Sequence, residues 1–344
     1  MNENDSSIYY DISNENENLE EKITFAYPII FIAGVFGNLL SFIVFSRPTF
    51  QNSSFSIYFR FLNIIDLISL LLMINKFIDL KYNIRIVTMS KHLCKLIPYL
   101  AYSIPSISSY ILVIISLDRT ISIYSLSKQL LLRKKKLLQM IICILIIAYN
   151  FIFYISMTSW FNLVIAYGSE IDLNYENNSL IYIDCLLLDN AYQTFFWMDL
   201  VNSLLIPFLL MSTITFISLN LLFKSRKRVN TIASIEKSIR SKDLKFATTS
   251  VLLNLIFLTL NTPLFIYTFL YEFLRGKDGT NQISESTNLL ISSILLLLYY
   301  CNFVFSFYTN LIFNQIFRNE FYSLFRKKPL HLTILINQIK KNKT

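Results

Sequence analysis

Few residues in this chain carry chemistry, and their surroundings are unusual. Asp66 stands in an apolar run, Leu62-Asn63-Ile64-Ile65-Asp66-Leu67. A carboxylate at membrane depth is expensive and marks a functional site by default. The plainer alternative is a protonated Asp satisfied by a neighbouring Asn. Asp118-Arg119 closes a later apolar run. A helix-end Arg often just snorkels to an interface; held by its adjacent acid and a second acid from another helix, it makes a breakable lock. Cys94 begins that same run, Cys185 lies in the long connection at about 160–191, and Cys143 and Cys301 sit inside apolar stretches. Free thiols in such stretches behave as small hydrophobes. The only histidines are His92 and His331. With no HExxH, no metal-ligand spacing and no second carboxylate near Asp66, metal hydrolysis and intramembrane proteolysis are both excluded.

The elements that must position these residues are membrane spans. The chain has 344 residues, of which 54% are hydrophobic and 15% charged, with a mean hydropathy of +0.50. An ordinary soluble domain is about 25% charged. Disorder, a disulfide-rich secreted scaffold and a free nucleic-acid module are excluded, and lipid is the expected solvent. Spanning a bilayer takes about 20 mostly apolar residues. Seven runs meet that need, at 24–46, 55–79, 92–124, 136–159, 192–223, 244–273 and 287–313. Five Gly and seven Pro in the whole chain, with no internal repeat, argue against a transporter with broken helices.

Charge sets the orientation. With the N-terminus outside, the connections at 46–60, 118–137, 224–245 and 314–344 hold 23 of the 31 bases and only 4 of the 22 acids. That is the positive-inside pattern. The runs Arg133–Lys136 and Lys224–Arg228 then read as juxtamembrane anchors, and nucleic acid is not an expected partner. The expected organisation is an extracellular acidic tail (1–23), a membrane domain (24–313) and a cytoplasmic amphipathic helix with a basic tail (314–344). The first 22 residues carry seven acids and no basic-then-apolar signal pattern, which reads as a solvated tail. Cys94 and Cys185 both fall on the oxidising side, where a bridge would pin the second outer loop over the bundle. Sequons at Asn4 and Asn177 lie on that side; those at Asn52 and Asn342 lie on the other, where they are silent.

In this setting the chain resembles a rhodopsin-like (class A) G-protein-coupled receptor over nearly its whole length. The first span carries Gly37-Asn38, and the second Leu62-xxx-Asp66. Cys94 precedes Arg119 by 25 residues, the family's interval from the disulfide Cys to the Arg of Asp-Arg-Tyr, which here reads Asp118-Arg119-Thr120. Pro207 marks the fifth span, and Phe257 precedes Pro263 by six residues in the sixth. Phe317-Arg318-Asn319-Glu320-Phe321 resembles the family's amphipathic eighth helix. The resemblance implies an all-α membrane protein, a seven-helix bundle with a short eighth helix. It also implies a switch in which the inner end of the sixth helix swings outward to admit a heterotrimeric G protein. Arg119 would be held by Asp118 and by Asp243, which lies 20 residues before Pro263. Asp66, Ser108, Asn302 and Ser306, near Asn38, match the positions that can coordinate a sodium ion in this family. No other cofactor is expected.

The departures are specific. Asn261 stands where the sixth span usually has its Trp, and the fourth span lacks a Trp. The Asn-Pro-x-x-Tyr motif maps to Ser306-Phe307-Tyr308-Thr309-Asn310, with Tyr308 as a second candidate for the functional tyrosine. The tyrosine expected eight residues after Pro207 is Thr215. Ala101 occupies the position of the amine-binding Asp, followed by Tyr102, so no amine counter-ion is available there. No Lys lies between Lys277 and Lys327, so retinal is excluded. Asp184, Asp189, Asp199 and Glu272 make the outer mouth acidic, which favours a cationic peptide. The pattern is most similar to invertebrate neuropeptide receptors of the RFamide type. Asp199 and Glu272 are the candidates for pairing with a basic peptide side chain, against the alternative of ordinary solvated rim acids. A seven-helix chemoreceptor or channel with its N-terminus inside is the competing reading, and the charge split opposes it.

Overall fold

The computed structural model describes residues 19, 22–51, 55–82, 84–124, 136–158, 161–169, 179–187, 189–229, 234–278 and 285–326. For 156–158, 161–169, 179–184, 186–187, 189–192, 225–229, 234–244, 272–278, 285–286 and 289 only the backbone is described. Asn4 and Asn177 lie outside the described residues, as do the side chains of Asp243 and Glu272.

Seven helices are long and apolar enough to cross a membrane. They are α1 (Ala26–Phe45), α2 (Phe55–Tyr82), α3 (Lys91–Tyr124), α4 (Lys136–Thr158), α5 (Asp189–Asp199 running on through Ile206–Val229), α6 (Ser234–Asp278) and α7 (Glu285–Phe313). Their membrane-length segments fall within a few residues of the apolar runs in the sequence, because in lipid every backbone N–H and C=O must be satisfied within the helix itself. Beyond the apolar runs, α5 and α6 continue as far as Val229 and back to Ser234.

The outward faces of the helices are apolar, and the interior combines apolar clusters with small polar side chains. Ile29, Ile32, Phe36, Leu39 and Ile43 of α1 face outward, while Asn38 and Ser41 of the same helix are buried. On α3, Ser103, Ser106, Ser108, Ser109, Ser116, Thr120 and Ser122 are all buried. Lipid is as apolar as Leu, so helices associate through close packing and hydrogen bonds, for which small hydroxyl residues are suited. Gly34 and Gly37 show how close the packing is. A Cβ on Gly34 would meet a Leu70 methyl at 2.5 Å, and one on Gly37 would meet Phe307 at 3.1 Å.

Three local features shape the site. First, α5 widens into a π-helical turn at Leu200–Leu205, where Ile206 N–H reaches back to Val201 O. Pro207 follows directly and cannot supply its own N–H to the ladder. Second, the long connection before α5 contains an antiparallel hairpin, β1 (Phe161–Ser169) with β2 (Ser179–Leu187), that apolar runs alone do not reveal. Its Cys185 forms the expected disulfide to Cys94 in the first turn of α3, with Cα atoms 5.6 Å apart. Third, α7 breaks at Asn314, whose side chain caps a short helix α8 (Gln315–Phe325) by accepting from the N–H groups of Ile316 and Phe317. The fully buried Phe317 and a clamp from Arg47 tie α8 to the bundle. Arg47 donates to Glu320 O at 2.9 Å and pairs with the Glu320 carboxylate at 3.3 Å.

Candidate functional site

At the α8 end, Arg119 is almost fully buried, and its guanidinium is held by Asp118, with Nε 3.2 Å from Oδ2. It also lies 4.4 Å from the ring centroid of Phe55, at the start of α2. Phe55 in turn packs on Phe246 of α6 with centroids 4.3 Å apart, and Phe246 also touches Phe50. One residue before Phe246, Lys245 Nζ donates to Gln315 Oε1 of α8 at 2.6 Å. The expected Arg119–Asp243 contact involves a side chain outside the described set.

One turn deeper, hydroxyls and an amide cross-link three helices. Ser116 Oγ of α3 donates to Asn254 Oδ1 of α6 at 2.6 Å, and Asn254 Nδ2 donates to Thr215 Oγ1 of α5 at 2.9 Å. Thr120, in place of the triplet's Tyr, shares a 2.5 Å hydrogen bond with Ser218 of α5. Thr215 therefore does not leave a gap where the tyrosine would stand; it anchors a polar bridge between α5 and α6.

In the middle, Asp66 is 2% exposed and accepts from Ser108 Oγ at 2.6 Å. The structure thus brings together these two of the expected polar set. Asn302 and Ser306 are buried on α7, but neither hydrogen-bonds to Asp66. Asn38 Nδ2 donates to Phe303 O at 2.8 Å, tying α1 to α7. Asn38 Oδ1, the Asn63 side chain, Ser306 Oγ and Asn310 Oδ1 are buried and have no hydrogen-bond partner among the described residues. The neighbouring Asn63 therefore does not satisfy Asp66. Tyr308 packs against two of the core clusters and donates to Ala33 O of α1 at 3.3 Å, while Asn310 is buried. Phe257 is fully buried in the main core cluster, Pro263 sits within α6, and Asn261 is buried with Nδ2 donating to Phe257 O at 2.7 Å.

At the hairpin end the polar groups converge on α5. Tyr154 OH of α4 donates to Asp199 Oδ1 at 2.7 Å. Asn202 spends its whole hydrogen-bonding capacity in the same place. It accepts from Tyr110 OH at 3.0 Å and Tyr149 OH at 2.9 Å, and donates to Tyr154 OH and Ser106 Oγ, both at 3.3 Å. Ser106 passes the chain on to Asn150 at 2.7 Å. Tyr102 lies against this group, stacked on Tyr154 and edge-on to Phe195 at 4.8 Å, while Ala101 is exposed. Asp199 is partly buried beside the π-helical turn and tethered to its tyrosine partner, and it has no cationic partner among the described residues.

Sequence reasoning missed Tyr154, Asn202, Ser116, Asn254, Phe55 and Phe246. For Asn202 and Asn254 a signal existed, because an amide isolated in an apolar run obeys the same rule as Asp66. For Phe55 and Phe246, two among 30 phenylalanines, there was none.

Residues 37–310 match the family model described as 7 transmembrane receptor (rhodopsin family). Comparison with curated proteins gives no match. The chain belongs to the rhodopsin-type seven-transmembrane receptors: it is a multi-pass membrane receptor and not an enzyme.

Proposed function

We propose that the chain is a plasma-membrane receptor for an extracellular peptide with a cationic side chain, of the RFamide neuropeptide type, and that it activates a heterotrimeric G protein. The observation carrying this reading is Asp199, a partly buried carboxylate whose tether is a neutral hydroxyl and which has no cation beside it among the described residues. A carboxylate drawn partly out of water without a counter-charge is costly, and an incoming guanidinium or ammonium relieves that cost. Tyr102, Tyr154 and Phe195 supply aromatic surface beside it. The charge split supports an outside N-terminus, which puts this end of the bundle and the Cys94–Cys185 bridge on the extracellular face. Asn4 and Asn177 are then glycosylation sites, and Glu272 is a second acid at the mouth.

In the same reading a sodium ion binds at Asp66 as an allosteric ligand. The Asp66 carboxylate and Ser108 Oγ supply two hard oxygens 2.6 Å apart, and Ser306 and Asn302, buried on α7, are the residues assigned to complete the set. The ion would neutralise Asp66, and Ser108 would orient its carboxylate. Agonist affinity measured in sodium against a large organic cation, with Asp66→Asn as control, tests this role.

The main test is G-protein activation in cells expressing the intact chain, challenged with amidated basic peptides and with amines. A response to the peptides that is lost on neutralising Asp199 supports the reading. A response to amines alone, or one insensitive to Asp199, refutes it.

A further inference from the structure

Arg119 lies against Asp118 on its own helix and the ring of Phe55. The second is the informative one. A buried cation gains most from an aromatic face where water is excluded, and both residues here are at most 3% exposed. Phe55 is shared, since it also packs against Phe246, which belongs to α6. The chain of contact runs from the switch arginine through a ring on α2 to the helix expected to move. Phe246 is further enclosed by Phe50, and Lys245 on the same turn is tied to α8. Phe45 stacks on Phe59 and touches Phe50, Phe55 and Phe317, so the rings that receive Phe246 are themselves fixed. An outward movement of α6 has to pull Phe246 off Phe55. Dispersion contacts fall away within an ångström or so of separation, which makes such a restraint abrupt.

We propose, on the reading of G-protein coupling above, that Phe55 and Phe246 form an aromatic lock that holds α6 against the bundle and keeps Arg119 turned inward. They act as positioning residues: when α6 leaves, Phe55 loses its backing, and Arg119 loses the ring that caps its charge. The position of α6 and the availability of Arg119 are thereby one equilibrium. The restraint resides in rings and does not require an ion pair between Arg119 and Asp243.

The test follows α6 directly. An environment-sensitive fluorophore is placed on Thr248→Cys in a Cys301→Ser background; Cys143 is fully buried and stays unlabelled. Phe246→Leu and Phe55→Leu keep apolar bulk but remove the ring. Each is expected to shift the label in the unstimulated receptor and to raise basal G-protein activation about fivefold. Phe55→Tyr, which keeps the ring, is expected to remain at the parent level. Surface expression qualifies each variant. Leucine variants that reach the surface and leave the label unchanged overturn the lock, as does a label shift produced by Asp243→Asn and by neither leucine variant. A label that shifts as expected while G-protein activation is absent throughout sustains the lock and counts against the coupling reading.

Discussion

The two ends of the bundle each draw a charge wholly or partly out of water, and they treat it in opposite ways. At the α8 end Arg119 is paired with Asp118 and capped by Phe55, all within the protein. At the hairpin end Asp199 is held by a tyrosine hydroxyl and a network that ends in neutral amides. An internally compensated charge is stable where it is and becomes available only when the structure changes. An uncompensated one is already waiting for a partner from outside. A receptor needs both: an end that recognises by lacking something, and an end that is silent because it lacks nothing.

That contrast can be broken at either end. The largest effect is expected at Arg119: Arg119→Ala should abolish G-protein activation while surface expression, read by an N-terminal tag, is retained. Next is Asp199→Asn, which keeps the shape and the tyrosine contact but removes the charge. Losing one partner of a desolvated charge pair costs about 2–5 kcal/mol, so peptide potency should fall roughly 30-fold or more in a dose–response measurement. Basal activity should not change. A smaller effect is expected from Asn254→Leu, which cuts the bridge from Ser116 to Thr215. A net loss of about 1 kcal/mol from the closed state should raise basal activity roughly fivefold, and an unchanged basal level would make the bridge a packing feature only. The smallest is Glu320→Ala, which removes the carboxylate paired with Arg47 and leaves its hydrogen bond to the backbone carbonyl. The pair is about a quarter exposed and is worth about 0.2–1 kcal/mol, so a slight fall in thermal stability of the purified receptor is the expected reading.

Much of the fold was legible in the sequence because lipid imposes a crude rule. Seven apolar runs sufficed for the bundle, and the placing of Cys94 and Cys185 for the disulfide. The hairpin was not legible: its strands are held by backbone pairing and anchored by one cysteine, and their apolar stretches are too short to be told from other loop sequence. Asp66, Arg119 and Asp199 were legible as charges out of place. Their partners were not, since Ser108, Phe55 and Tyr154 are ordinary membrane residues until packing brings them within reach. For Asp199 the sequence left two readings open, a ligand-pairing acid and a solvated rim acid; its contact with Tyr154 depends on helical phase, which composition does not encode.

The π-helical turn has a further consequence for comparing this receptor with others. Each residue of an α-helix advances the side chain by about 100° around the axis. One residue absorbed at Leu200–Leu205 therefore offsets everything upstream by about that angle relative to an unbroken helix. Counting back from Pro207 in a relative without this turn would align Asp199 with a residue pointing elsewhere. Transfer of ligand-contacting roles along this helix has to follow the face a residue presents rather than its distance from the proline.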